Sequence, residues 1–239
     1  MFVRVELIMW MGYQGMKYFF NAGMKTKIEL KTFTLLFFLF INCYVYSQSA
    51  SIKIGNQTWK TENLNVSAFI NGDAIKEVKT NRKWKRYNRK GKPAWCYYEN
   101  KTVNGKTYGK LYNWYAVNDS RGLAPCGWHI PDDREWKELT EFLGGEDIAG
   151  LKLKAEKGWK EHVNNFSNGN NKSGFNGLPG GYRFNNGIFF YAGSFGYWWS
   201  ATQDKEDTAF SREQSFDKSN AAKDTNDKGN GLSVRCIKD

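Results

Sequence analysis

The chain reads as an α+β protein: helix signals crowd its middle, strand and turn signals hold both ends, and the regular strand–helix alternation of a doubly wound sheet is missing. From Ser173 onward, short apolar or aromatic runs are separated by Gly and Asn, which is the pattern of strands joined by tight turns. Between Asp132 and Lys154, apolar residues recur at three and four, bounded by helix cap and stop residues.

In chain order, the first segment reads as export machinery. Residues 1–23 show no period and precede a better start at Met24. After Met24 come Lys25, Lys27 and Lys31, an apolar run from Phe33 to Ile41, and then small and polar residues, the layout of a secretory signal peptide. The run is too short for a bilayer core, which needs about 20 helical residues. Cleavage is expected after Ser47, leaving Gln48 first; lipidation at Cys43 is the rival, disfavoured by Asn42 before it. One domain, 48–239, follows an upstream extension and signal peptide at 1–47.

Ile52–Trp59 alternates about Gly55-Asn56 and predicts a hairpin, because glycine supplies the positive φ such turns need. Asn71–Pro93 is crowded with Lys and Arg and predicts a solvated surface loop with a short helical turn around Trp84; a polyanion-binding stretch is the alternative. Ala94–Tyr98 predicts a short strand. Tyr108–Val117 predicts a short helix with Leu111, Trp114 and Tyr115 on one side. Asp132 and Glu135 form a capping-box pattern, Trp136, Leu139, Phe142 and Leu143 supply an apolar face, and Gly144-Gly145 stops that helix. A second helix is expected over Asp147–Lys154, and Asn164–Asn171 reads as a loop.

The whole chain carries a formal charge of +11; removing residues 1–47 leaves +8. Such an excess favours solubility and adhesion to acidic polymers and says nothing about fold. Nucleic acid is not expected as a partner of an exported chain without a binding-fold signature. Cys96, Cys126 and Cys236 remain after export, where oxidation is permitted. Three thiols allow at most one intrachain bridge. Cys126–Cys236 is favoured because it closes a long loop, worth on the order of 4 kcal/mol in the chain-entropy model. Cys96, between Trp95 and Tyr97, reads as a buried apolar thiol.

No strong catalytic motif is found. His129 and His162 are the imidazoles, and neither His-x-x-x-His nor Cys-x-x-Cys spacing occurs, so neither a zinc site nor another metal or cofactor is expected. Gly-x-Ser-x-Gly and phosphate-cradling Gly-rich loops are absent. Asp132, Asp133 and Glu135 are accounted for by capping and the helix dipole. Binding chemistry has better support. Phe184, Phe189, Phe190, Tyr191, Phe195, Tyr197, Trp198 and Trp199 alternate with amides and acids, and an aromatic face stacks on a sugar ring while amides satisfy its hydroxyls. Most of these rings are expected in the core, since the domain is poor in Leu and Val. Arg183, Asn185, Asn186, Tyr191 and Trp198 are the candidate ligand contacts.

The motifs carry a resemblance. Ile52-Lys-Ile-Gly-Asn-Gln-Thr-Trp-Lys-Thr-Glu-Asn-Leu-Asn65, Cys126-Gly-Trp-His-Ile-Pro-Asp-Asp-Arg-Glu-Trp136, Ser173-Gly-Phe-Asn-Gly-Leu-Pro-Gly-Gly-Tyr-Arg183, Tyr197-Trp-Trp-Ser-Ala-Thr202 and Leu232-Ser-Val-Arg-Cys-Ile-Lys-Asp239 together resemble the Fibrobacter succinogenes major paralogous domain, a family of secreted and surface domains. The Ile-Pro-x-x-x-Glu-Trp turn is also similar to that of the formylglycine-generating sulfatase-modifying group. That remote likeness implies a C-type-lectin-like mixed fold with short central helices, antiparallel strands, and the hairpin near Ile52 paired with the last strand around Val234. The calcium-coordinating Glu-Pro-Asn or Gln-Pro-Asp of sugar-binding lectins and the cysteine arrangement of the oxidising enzymes do not occur.

The expectation is a secreted or cell-surface, non-enzymatic module for an extracellular glycan or surface protein. Two alternatives are an exported hydrolase using fold-assembled carboxylates such as Asp73, Glu99, Asp119 or Asp204, and an envelope scaffold adhering through the basic stretch around Trp84.

Overall fold

The computed structural model describes residues 50–161 and 168–239, which belong to one compact unit. The leader with Ser47 and Cys43, His162, and residues 164–167 of the Asn-rich loop lie outside the described residues. In chain order come β1 (Ser51–Ile54), β2 (Gln57–Lys60), β3 (Lys76–Glu77), α1 (Asn81–Arg89), β4 (Ala94–Cys96), α2 (Thr102–Tyr108), β5 (Leu111–Asn113), α3 (Trp114–Val117) and β6 (Trp128–His129). Then follow α4 (Asp133–Phe142), α5 (Glu146–Leu153), β7 (Gly180–Arg183), β8 (Phe189–Ala192), β9 (Phe195–Gln203), β10 (Thr208–Ser215), β11 (Ala222–Asp227), β12 (Gly231–Leu232) and β13 (Ile237–Lys238). The fold is α+β, with the first and last strands in one sheet.

The small sheet has the order β1-β2-β13-β6. Its hairpin turns at Gly55, with Ile54 opposite Gln57, and β13 joins it through Ile237 opposite Trp59. The larger sheet runs β11-β10-β9-β7-β12-β5-β4-β3, with β8 added to β7. One core, around Trp95, Tyr112, Trp114, Trp199 and Val234, lies on one side of β9; a second, around Trp59, Trp136, Leu139, Phe175 and Trp198, lies on the other.

Helix α4 begins as its cap residues require. Asp132 accepts from the Glu135 amide at 2.8 Å and Glu135 accepts from the Asp132 amide at 2.8 Å, satisfying two amides that the first turn leaves unpaired. Trp136, Leu139 and Leu143 are buried, whereas Phe142 is 63% exposed and packs over the Gly55 turn. Gly144 and Gly145, both at positive φ, end the helix.

Three expectations need correction. The segment 108–117 is not one helix: Gly109 at φ 73° stops α2, β5 follows, and Asn113 caps the single turn of α3. Pairing of β5 with β4 and β12 outweighs the helical spacing of Leu111, Trp114 and Tyr115. The basic stretch holds a nine-residue helix, α1, capped by Thr80 and pinned by buried Trp84, where a loop with a short turn was expected. The third concerns the bridge. Cys236 is a free, buried thiol, so Cys126–Cys236 does not form. With Ile237 opposite His129, Cys236 faces Ile130, four residues past Cys126. Cys126 itself lies off the paired strand, in the turn before β6 where Gly127 has φ 75° and the Trp128 amide donates to the Pro125 carbonyl. Cys96 is also free, and burial pushes both thiols up to about 12.

Candidate functional site

Strand periodicity builds the site. Along β9, Phe195, Tyr197 and Trp199 share one face, while Trp198 points to the other. Tyr197 lies opposite Glu213 and Trp199 opposite Ser211, which in turn lies opposite Asp224 on β11. Directly paired residues project to the same side, so both acids stand beside the ring row. β7 runs parallel to β9 with Gly181 opposite Gly196, and Tyr182 lies 5.1 Å from Tyr197 between ring centroids. On β8, Phe190 pairs with Tyr182.

Tyr191 should then face away, because neighbouring strand residues alternate. Instead its φ is 67°, a left-handed conformation rare for a bulky side chain. This turn brings its ring to 6.0 Å from Tyr182 and 5.8 Å from Phe190. Across from it, Gly181 also has positive φ, and a Cβ there would sit 2.4 Å from the Phe190 carbonyl oxygen. Glycine at 181 lets β8 come close enough for the kink. The outcome is a continuous group of rings, Tyr182, Phe184, Phe190, Tyr191, Phe195 and Tyr197, with neighbouring centroids 5.1 to 6.4 Å apart. Tyr191 is 51% exposed, Tyr197 is buried at the inner edge, and the other four are half-buried.

Burial pushes the Glu213 carboxyl above its usual range, and neighbouring Asp224 adds to this. Burial and Glu213 likewise push the Tyr197 phenol upward, so it remains a donor toward that carboxyl. The face therefore offers apolar ring surface edged by carboxylates. The motifs at the two ends of the chain serve a different purpose. Asn63 Oδ1 accepts from Trp198 Nε1 at 2.8 Å and from the Arg235 guanidinium at 2.8 Å, while its amide donates to the Tyr108 carbonyl. Arg235 also donates to the Lys60 carbonyl, joining the first and last motifs around Phe175.

Residues 52–238 match the family described as the Fibrobacter succinogenes major domain. The chain belongs to that family. No curated protein and no solved structure matches it.

In this Fibrobacter succinogenes major domain, the five expected ligand contacts fall apart into different roles. Arg183 is fully buried: its guanidinium donates to the carbonyls of Val78, Lys79 and Gly187 and lies 4.5 Å from the Trp84 ring. Trp198 is fully buried in the second core. Asn185 donates to Asp227 at 2.8 Å, and Asn186 accepts from the Ile188 amide, so both amides shape the β7–β8 turn. Tyr191 stands on the ring face. Sequence reasoning missed Tyr182, Glu213 and Asp224. Alternation in β9 and β10 hinted at them, but only the register places the acids beside the rings.

The carboxylates considered for hydrolysis do not converge. Asp73 and Asp119 flank Arg121 at 3.0 and 2.8 Å, whose hydrogen bonds hold both below the usual carboxylate range. Glu99 pairs with Lys101, and Asp204 accepts from Thr208. His129 bridges Glu135 at 2.8 Å and Asp239 at 2.7 Å, tying helix α4 to the last strand. Among the described residues, no group of three His, Cys, Asp or Glu side chains is arranged to hold a metal ion, and no helix is long and apolar enough to cross a membrane.

Proposed function

We propose that this family member is an exported, non-enzymatic binding module of the cell exterior that takes carbohydrate on the ring face of β7, β8 and β9. The observation that carries this reading is Tyr191. Holding a bulky residue at φ 67° costs on the order of 1–3 kcal/mol, and such strain concentrates at functional positions. Here it serves to add an exposed ring to a row that regular alternation would leave without it. Aromatic faces stack on the apolar faces of sugars, and the carboxylates of Glu213 and Asp224 at the edge accept from hydroxyls. Export rests on the leader of residues 24–47.

Glycan-array and polysaccharide pull-down binding of the full chain, with and without EDTA, tests the reading. Binding of neutral glycans should survive EDTA and fall at least tenfold in Tyr191→Ala, whose exposed ring can be removed without opening the core. Trp198→Ala is uninformative because that ring is core. Equal binding of neutral glycans by Tyr191→Ala, or binding to no neutral glycan, would refute the assignment and redirect the search to a protein partner.

A further inference from the structure

Helix α1 and the turn after it line a cleft of about 610 Å³ with Arg82, Lys83, Arg86, Arg89, Lys90 and Lys92. All six side chains are exposed, and none forms an ion pair with a carboxylate among the described residues. Scattered exposed lysines such as Lys53, Lys106 and Lys205 also lack an ion pair, but here six cations cluster on one cleft, whereas several other basic side chains are paired. Lys79, Lys101, Arg121, Arg134, Lys137, Arg212 and Lys223 each meet an acid.

The arrangement works against the helix that carries it. Arg82–Arg86, Lys85–Arg89 and Arg86–Lys90 are like charges at i,i+4, each destabilising by about 0.2–0.5 kcal/mol, and the first turn has no acidic residue to complement the helix dipole. What holds the helix is its inner side. Trp84 is fully buried and donates to the Gly229 carbonyl at 3.1 Å, Asn88 donates to the Asn185 carbonyl at 2.9 Å, and Thr80 caps the first turn. Arg183 clamps the residues just before it through Val78 and Lys79. A rigid scaffold thus presents six uncompensated cations, and successive charges along the i,i+4 row lie about 6 Å apart at 1.5 Å rise per residue.

We infer that this cleft binds an acidic polysaccharide, a chain bearing carboxylate or sulfate groups at regular intervals, separately from the ring face. The three guanidiniums match planar oxyanions in a bidentate manner, and the lysines add point charge. A single-stranded nucleic acid would want a row of stacking rings, and the lining offers Tyr87 alone. A bilayer would want an apolar helix side to insert, and the apolar residue of α1, Trp84, is already buried in the protein.

The test measures binding of the full chain to polygalacturonate, heparin, neutral dextran and single-stranded DNA across 50–300 mM salt. The comparison is with the triple variant Arg82→Gln, Arg86→Gln, Lys90→Gln, in which three exposed cations become good helix formers. Polygalacturonate or heparin should bind in a salt-dependent manner, the two polymers separating carboxylate from sulfate recognition, and the triple variant should weaken binding at least tenfold while its thermal midpoint stays level or rises. Tyr191→Ala should leave acidic-polymer binding unchanged, so the two sites can fail independently. Absence of binding to either acidic polysaccharide at low salt, an unaltered triple variant, or tighter binding of DNA than of both would overturn the inference.

Discussion

Arg183→Met separates a scaffold role from a ligand role at one of the five residues expected to contact ligand. The guanidinium is fully buried and donates to the carbonyls of Gly187, Val78 and Lys79, with Asn81 Oδ1 at 3.2 Å. Burial lowers its pKa, with the Cys96 thiol opposing; the group nevertheless stays charged, as arginine does in proteins. Methionine keeps much of the volume and leaves three carbonyls without that donor, in two buried bonds and one part-buried one. At about 2 kcal/mol each, the gross loss is roughly 6 kcal/mol. Relief of the guanidinium's own desolvation returns several kcal/mol, leaving a net destabilisation of about 3 kcal/mol. For a domain of this size that corresponds to a fall of about 6–12 °C in the thermal midpoint. Circular dichroism melting and urea unfolding measure it, with Arg183→Lys falling between wild type and Met because one ammonium cannot reach all three carbonyls. A midpoint within about 2 °C of wild type, combined with lost glycan binding, would refute the scaffold argument and return Arg183 to the ligand site.

Three further outcomes follow from local geometry. Gly150→Ala, which helix propensity alone would favour by about 1 kcal/mol, should instead destabilise by about 2 kcal/mol, because the new Cβ would stand 2.0 Å from the Asn220 carbonyl oxygen; a raised thermal midpoint would contradict the packing. Burial opposes charge on His129, but its bonds to Glu135 and Asp239 outweigh this and raise its pKa. Its stabilising contribution is therefore complete below the unfolded value of about 6.5 and lost as pH rises through the higher folded value. With the imidazole 40% exposed, the difference between wild type and His129→Gln in urea unfolding should be about 0.5 kcal/mol at pH 5.5 and vanish by pH 8.5, and a difference that grew with pH would contradict the linkage. Cys96 and Cys236 should resist a thiol reagent in the native protein and react on unfolding, since both are buried and pushed up to about 12; rapid native labelling of either would show that the strand carrying it opens.

By itself, the sequence determined what neighbouring residues decide among themselves. The Gly55 turn, the Asp132–Glu135 capping box, the Gly144-Gly145 stop and the buried setting of Cys96 all depend on contacts or patterns within a few positions, and the crowding of helices between strand-rich ends set the α+β class. The tertiary structure decided what rests on distant pairings. Arg183 meets Val78 across 105 positions, Asn63 meets Arg235 across 172, and Tyr197 finds Glu213 only through the β9–β10 register. Cys236 ends as a free buried thiol unjoined to Cys126, and the close approach of β8 to Gly181 accompanies the turned Tyr191. A one-residue change in strand pairing would exchange the faces of every side chain involved, so a composition rich in rings, amides and cations leaves open which of them become core, clamp or surface.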